Sequence, residues 1–486
     1  MTESQPEGRT YDVAIVGAGV VGAAIARELS RYELDVALVE ASADVGTGTS
    51  KANTAILHTG FDAKPGSLEA RLVRRGYELL SAYGPEAGIP IEHIGALLVA
   101  WNDVEVSELD AIVEKARANG YEETRRLTAE ELYAAEPHLG RGARAGLLVP
   151  GESIVCTFTT PLAYATQAVE NGVRLFLESQ VEGVGGGVSA HVLDLGGGET
   201  LRARWVVNAA GLQSDRIDRM FGHDRFTVTP RRGELIVFDK FARALLSHTL
   251  LPVPTKMGKG VLVAPTVYGN VMLGPTAEDL EDRNATGSTT AGLAGLWAKG
   301  ERILPELLEE EVTAIYAGLR AATEHSDYQL FAEIAQRYVC VGGIRSTGLT
   351  ASMAIAEHVA GLLRDGGLAL VEKESFRPVR MPNIGEAFRR PYQDGARIAD
   401  DPEYGRIVCH CERVTRGEIR DASRAAIPAR DVDGLRRRTR AGMGRCQGFF
   451  CAAEVDTLLA AETGRTLGAI LELPSRRTGK EGQAAR

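Results

Sequence analysis

Short apolar runs rich in β-branched residues punctuate the chain, and between them apolar residues recur every three or four positions. The run "DVAIV" at 12–16 fits a buried strand, and Val21, Ile25 and Leu29 behind it recur every four residues, which predicts a helix with its apolar face on a sheet. "DVALV" at 35–39 is a second strand run, so the pattern predicts a strand–helix–strand unit with parallel strands. Two later stretches run from a strand into small residues. These are "RARWVVNAAG" at 202–211 and "RYVCVGGIRSTG" at 337–348, the latter leading into the helical "LTASMAIAEHVAGLL".

The texture differs between these stretches. Residues 86–145 mix the strand-like "GALLVA" with charged helical sequence in which Leu109, Ile112 and Val113 share a face. Residues 226–325 alternate strand runs and turns, as in "RRGELIVFDK", "GKGVLVAPT" and "GNVMLGPT". Both blocks read as insertions that build a separate domain around a mixed or antiparallel sheet. The polar, Pro- and Gly-containing stretch 391–405 reads as a linker, and 474–486 as a disordered tail.

Chemistry enters at the first turn. Gly17, Gly19 and Gly22 follow the first strand at G-x-G-x-x-G spacing, and Glu40 follows the second. Such glycines let the backbone approach a pyrophosphate at the positive end of a helix, and the acid can accept hydrogen bonds from a ribose diol. Dinucleotide binding follows, with FAD and NAD both open. The turn before the late helix offers unpaired N–H groups to an electron-rich ring.

Composition narrows the class. The 486 residues carry a formal net charge of -10 and a pI near 5.6, which gives no basic footprint for nucleic acid. No apolar stretch is long enough for a membrane span, and the polar start of the chain lacks a signal core, so a cytoplasmic location is expected, peripheral to a membrane only through a partner. Six cysteines are present, four of them in two pairs: Cys409 with Cys411, and Cys446 with Cys451. In a reducing compartment such pairs favour metal binding, and four thiolates at this spacing suit either zinc or an iron–sulfur cluster. Cys156 and Cys340, beside valines, read as buried packing thiols.

The glycine motif with Glu40, "GTGTSKANTAILHTGFDAKPGSLEARL", "NAAG" and "GGIRSTGLT" together resemble the D-amino-acid-oxidase-like superfamily of FAD enzymes, nearest its glycerol-3-phosphate and L-2-hydroxyglutarate dehydrogenase branches. "CHCERVTRGEI" and "RRRTRAGMGRCQGFFC" resemble the bacterioferritin-associated-ferredoxin-type [2Fe–2S] domain. The implied fold class is α/β. It comprises a Rossmann-like FAD-binding domain (8–85, 146–225 and 326–390) interleaved with an α+β substrate domain (86–145 and 226–325), and a small helical iron–sulfur domain (406–473). The resemblance implies FAD against Gly17, Gly19, Gly22, Glu40, Ser50, Asn53, Ala210, Gly211, Gly343, Arg345 and Gly348. It implies a [2Fe–2S] cluster on Cys409, Cys411, Cys446 and Cys451, zinc being the alternative there.

A flavin accepts a hydride, whereas a cluster carries one electron at a time, so the pair implies a dehydrogenase feeding an electron-acceptor protein or quinone-linked subunit. An anionic substrate needs fixed cations. Arg320, Arg345 and Lys259, with Lys256, are the candidates, and His58 is the candidate base for a hydroxyl proton. The expected substrate is sn-glycerol 3-phosphate, then L-2-hydroxyglutarate or another 2-hydroxy acid, then an amine or amino acid. A pure electron-transfer subunit is the reading from another class. In place of the Gly-Arg-Tyr common in aerobic glycerol-3-phosphate dehydrogenases, this chain has Gly60, Phe61 and Asp62, and Ala321 follows Arg320 where that family has proline.

Overall fold

The strand Thr10–Val16 lies inside a sheet, parallel to Val36–Val39 on one side and to Thr200–Asn208 on the other. Its Val13, Ile15 and Val16 are buried, the usual condition of an interior parallel strand. The computed structural model describes residues 9–187, 189–254 and 260–471, in two units, Met1–Met381 and Pro382–Arg486.

In the first unit, among the described residues, this sheet has eight strands. Arg174–Phe176 continues it beyond Val36–Val39, and Tyr338–Gly342 pairs in parallel with the end of Thr200–Asn208. The glycine-rich Gly183–Gly187, the strand Ala190–Asp194 and Gln329–Glu333 add antiparallel edges. Helices Val20–Leu29 and Gly348–Asp365 pack together, flanked by Thr159–Glu170 and Leu68–Ala87. Ile25 and Leu29 face the core as the spacing predicts, whereas Val21 lines a cavity.

A second sheet of nine described strands is mixed: most pairs are antiparallel, and Thr249–Pro252 runs parallel to Ala96–Ala100. Its longest pair joins Thr229–Phe238 to the edge strand Val312–Ala322. Helix Asp103–Ala118 buries Leu109 and Ile112 as expected. Ala145–Val149 belongs to this sheet through pairing with Ala96–Ala100, so the insertion runs past the expected boundary at 145. Cys156 and Cys340 are fully buried, in agreement with packing roles.

One ion pair ties a cofactor-side helix to the insertion. Asp215, in helix Ser214–Met220, receives both guanidinium nitrogens of Arg283 at 2.6 and 2.7 Å. Burial opposes the Asp215 charge, yet Arg283 and the Val228 N–H hold its carboxyl below the usual range. Removing Arg283 leaves the buried Asp215 charge with the more exposed Arg219 at 3.2 Å as its remaining ion-pair partner among the described residues. An Arg283→Met variant is therefore expected to lose about 3 kcal/mol of first-unit stability, read as a lower urea midpoint by tryptophan fluorescence, since Trp101, Trp205 and Trp297 all lie in that unit. Because the folded-state pKa is depressed, the pair's contribution is present above the unfolded carboxylate pKa and is lost as pH falls through the folded value.

The second unit holds a two-stranded ribbon, Ile407–Cys409 with Val414–Thr415, and helices Arg416–Arg424, Val432–Thr439, Ala452–Thr463 and Leu467–Leu471 around its own core. The 391–405 stretch is not an open linker. It folds as short helical turns at Pro391–Gln393, Gly395–Asp400 and Pro402–Gly405, with Asp394 and Asp401 side chains accepting backbone N–H groups at helix starts. Tyr404 is buried, and Arg390, 2 % exposed, pairs with Glu418 at 3.1 Å. Pro, Asp and Gly are linker residues by composition, but they are also helix-start residues, and here they act as the latter. The tail 474–486 lies outside the described residues, and no described helix is long and apolar enough to cross a membrane.

Candidate active site

A cavity of about 1510 Å³ runs through the first unit, larger than the roughly 300–1,000 Å³ of an ordinary small-ligand pocket. At one end lies the glycine turn. Gly17 takes φ +102°, and a Cβ on Gly22 would sit 1.8 Å from the Gly17 carbonyl oxygen, so the helix start can press against the strand end only as glycine. Gly19 opens helix Val20–Leu29, and the Ser50 hydroxyl accepts the Val20 N–H at 2.9 Å. The Glu40 carboxylate accepts from the Ala18 and Ser42 N–H groups, 2.8 Å each, which fixes it beside the turn with lone pairs remaining for a diol. Asn53 donates to the Ser50 carbonyl and to Thr157, and Tyr316 donates to the Asn53 carbonyl, so the 49–53 segment is held by the second sheet and by the loop after Ser153–Val155. Ala210 and Gly211 line the same cavity. Gly22 and Gly343 do not line it; Gly343 instead supplies a φ of +65° in the late turn, and Gly348 begins the helix behind it.

His58 reaches the cavity from the end of the short strand Ile56–Leu57. That strand pairs antiparallel with Ser153–Val155, Leu57 opposite Ser153, so the next pair across the ribbon is His58 with Glu152. Their side chains meet, Nδ1 to Oε2, at 2.9 Å, with Glu152 fully buried. The sequence carried no signal for Glu152, an acid between a glycine and a serine in an unremarkable turn.

The expected cations fare differently. Arg320 lies opposite Arg231 across the Thr229–Phe238 and Val312–Ala322 pair, and Arg231 lies opposite Asp279 on its other side. Asp279 takes Arg231 in a two-point pair at 2.5 and 2.8 Å, while Arg320 Nη2 donates to the Thr276 carbonyl at 2.7 Å. The row of three therefore carries net positive charge into the cavity. Burial draws the Arg320 guanidinium down from its usual value, and Arg231 adds to this while Asp279 opposes it. Arg345 also lines the cavity, but its charge is engaged by Glu69 at 2.8 Å, and Glu69 in turn accepts from Thr347. Lys256 and Lys259 lie outside the described residues.

In the second unit the four paired cysteines converge. Cys411 lies beside Cys446, Cys409 lies beside Cys451, and the Gly442 N–H points at Cys409 Sγ at 3.4 Å. Burial raises the Cys451 thiol to about 12, whereas backbone N–H groups, first that of Phe450, hold Cys446 below its usual value. Among the described residues no three such side chains close on a single point. Two thiol pairs suit a two-iron cluster, with two ligands per iron, better than one tetrahedral zinc.

Residues 12–362 match the model of the FAD dependent oxidoreductase family. The chain belongs to that family. Residues 407–461, which include all four paired cysteines, match the BFD-like [2Fe-2S] binding domain. FAD and a [2Fe–2S] cluster are thus this oxidoreductase's cofactors. The chain is 37% identical to glycerol 3-phosphate dehydrogenase of Caloramator mitchellensis, over 93% of this chain and 95% of that protein. The reduced, FAD-bound L-alpha-glycerophosphate oxidase of Mycoplasma pneumoniae superposes with a TM-score of 0.73 at 31% identity, using 77% of this chain and 100% of that one. Mitochondrial L-2-hydroxyglutarate dehydrogenase of Caenorhabditis elegans is 27% identical over 72% of this chain and 92% of its own length.

Proposed function

We propose that this oxidoreductase converts sn-glycerol 3-phosphate to dihydroxyacetone phosphate and passes the electrons singly, through its cluster, to an acceptor other than oxygen. The observation that carries the reading is one cavity lined by both an imidazole backed by a carboxylate and a half-buried arginine with net positive surroundings. An anionic secondary alcohol needs both. The 37% identity to a glycerol 3-phosphate dehydrogenase over nearly the whole chain supports the same substrate. The cluster module supports the acceptor: the oxidase from M. pneumoniae is spanned completely by 77% of this chain, which leaves it no counterpart of a further domain.

Gly17, Gly19, Glu40 and Ser50 would hold the nucleotide half of FAD, with Asn53, Ala210, Gly211 and the Gly343–Gly348 turn along the flavin half. Bound FAD supplies the two-electron acceptor for the hydride from C2. His58 takes the hydroxyl proton as the C2–O bond becomes a carbonyl, so C–H and O–H are lost together as hydride and proton. Arg320 holds the phosphate, with Lys259 as a further cation, and Arg345 acts through Glu69 to fix the late turn. The thiolates of Cys409, Cys411, Cys446 and Cys451 ligate the cluster. The chain works in the cytoplasm, and an electron-carrier protein or quinone-linked subunit receives the electrons.

Anaerobic addition of sn-glycerol 3-phosphate to the holoprotein is expected to bleach the flavin band and then the broader cluster absorbance, whereas L-2-hydroxyglutarate and amino acids leave both unchanged. Bleaching by one of the latter alone would reassign the substrate. Bleaching by none would make the chain an electron-transfer subunit.

A further inference from the structure

We infer that Glu152 is a positioning residue that sets the tautomer and basicity of His58, so that the two act as a carboxylate–imidazole dyad in alcohol oxidation. This rests on the reading of His58 as the proton acceptor.

The inference starts from the carboxylate. Glu152 is fully buried, a position that a carboxyl group occupies only when its oxygens are satisfied. Oε1 accepts the Thr59 backbone N–H at 2.6 Å and the Thr59 hydroxyl at 2.9 Å, and Oε2 meets His58 Nδ1 at 2.9 Å. Two donors on one oxygen fix the plane of the group, and the imidazole completes it. With Oε2 as acceptor, Nδ1 carries the ring proton, and Nε2 becomes the ring atom through which His58 can take a proton.

The scaffold holds both partners. The Gly151 N–H donates to Tyr121, and Tyr77 donates to the Gly151 carbonyl, each at 2.8 Å, which pins the turn that carries Glu152. The His58 N–H donates to Thr350 Oγ1 at 3.0 Å, in the first turn of helix Gly348–Asp365. A purely structural acid would need none of this convergence on one imidazole at the cavity wall. Besides His58, the titratable groups close to Glu152 are Tyr77 and Tyr121, with Glu123 beyond them. Burial raises both tyrosines, Tyr121 to about 12, so neither titrates where an imidazole does. Among the described residues, Asp62, Lys64 and the Glu69–Arg345 pair are further charged groups lining the cavity.

Glu152→Gln tests the dyad. The amide oxygen can still accept from Thr59, but the amide nitrogen then faces Nδ1 as a donor and moves the ring proton to Nε2. The rate constant for flavin reduction at saturating sn-glycerol 3-phosphate should fall about 10²-fold or more, as expected when a positioned base is disabled. Its Kd for substrate and its FAD content should stay within about threefold, and the acid limb of the pH–rate profile should move to lower pH, because a carboxylate that favours the protonated ring has gone. In a His58→Ala background, Glu152→Gln should cost nothing further, since Glu152 acts only through that ring.

A Glu152→Gln rate within threefold of wild type with an unmoved acid limb, or an equal loss in the His58→Ala background, would overturn the dyad. If His58→Ala itself leaves the rate unchanged, the base reading fails first, and the two failures are thereby distinguished. Should Glu152→Gln not retain FAD, ¹⁵N chemical shifts of histidine-labelled wild-type holoprotein decide instead. A His58 ring protonated at Nδ1 supports the dyad, and one protonated at Nε2 rejects it.

Discussion

Replacing His58 with alanine is expected to slow flavin reduction by sn-glycerol 3-phosphate about 10³-fold, within the span of 10²–10⁴ that a positioned general base contributes. The side chain stands at the cavity wall and Nδ1 meets Glu152, so the dyad assigns the substrate proton to Nε2. Only the neutral ring can accept, so the wild-type rate should rise with pH along an acid limb that the alanine variant lacks. Substrate Kd should change little, because the ring contributes mainly as charge develops on the leaving proton. Stopped-flow absorbance across pH measures both. An unchanged rate and profile in the variant would remove His58 from the chemistry.

The second large effect should come from Arg320→Met, which keeps length and apolar stem but removes the guanidinium. Truncating one member of a buried charge pair costs about 2–5 kcal/mol, so kcat/KM for sn-glycerol 3-phosphate should fall about 10²–10³-fold, mostly through KM. The unliganded protein should lose no thermal stability, because Arg320 is held against burial and against Arg231 opposite it, and an anion relieves that strain. Arg320→Lys should recover part of the loss, since an ammonium restores the charge but not the two-point fork. Steady-state kinetics and a melting curve without substrate check the pair of outcomes. A large fall in melting temperature with KM unchanged would make Arg320 a structural residue.

Much of the nucleotide side was legible because its signals are local. A β-branched strand, three glycines at fixed spacing and an apolar stripe every fourth residue each report on backbone conformation within a turn or two. The cysteine pairs were legible for a related reason, since thiolates this close in sequence and flanked by matching residues have few other uses in a reducing compartment. The interleaving of the two large sheets also showed as a change in texture, although the expected boundary at 145 fell short of the strand that ends at Val149.

The site itself was legible only in part. His58 was visible through its motif, but its partner lies 94 positions away and is found only through the register of a three-strand ribbon. Arg320 and Arg345 were both candidates in the sequence for holding an anionic substrate, Arg345 through its glycine-rich surroundings. Strand pairing set Arg320 beside Arg231, and a distant helix start supplied Glu69 to engage Arg345. Residues 391–405 carried composition shared by linkers and helix caps, and packing around Tyr404 decided between them. The sequence by itself determined the fold class, the glycine turn and the pairing of the four cysteines along the chain, because those depend on neighbouring residues. Tertiary structure decided which charges are free to meet a substrate and which are already paired, because pairing depends on strand register and on contacts that no local pattern encodes.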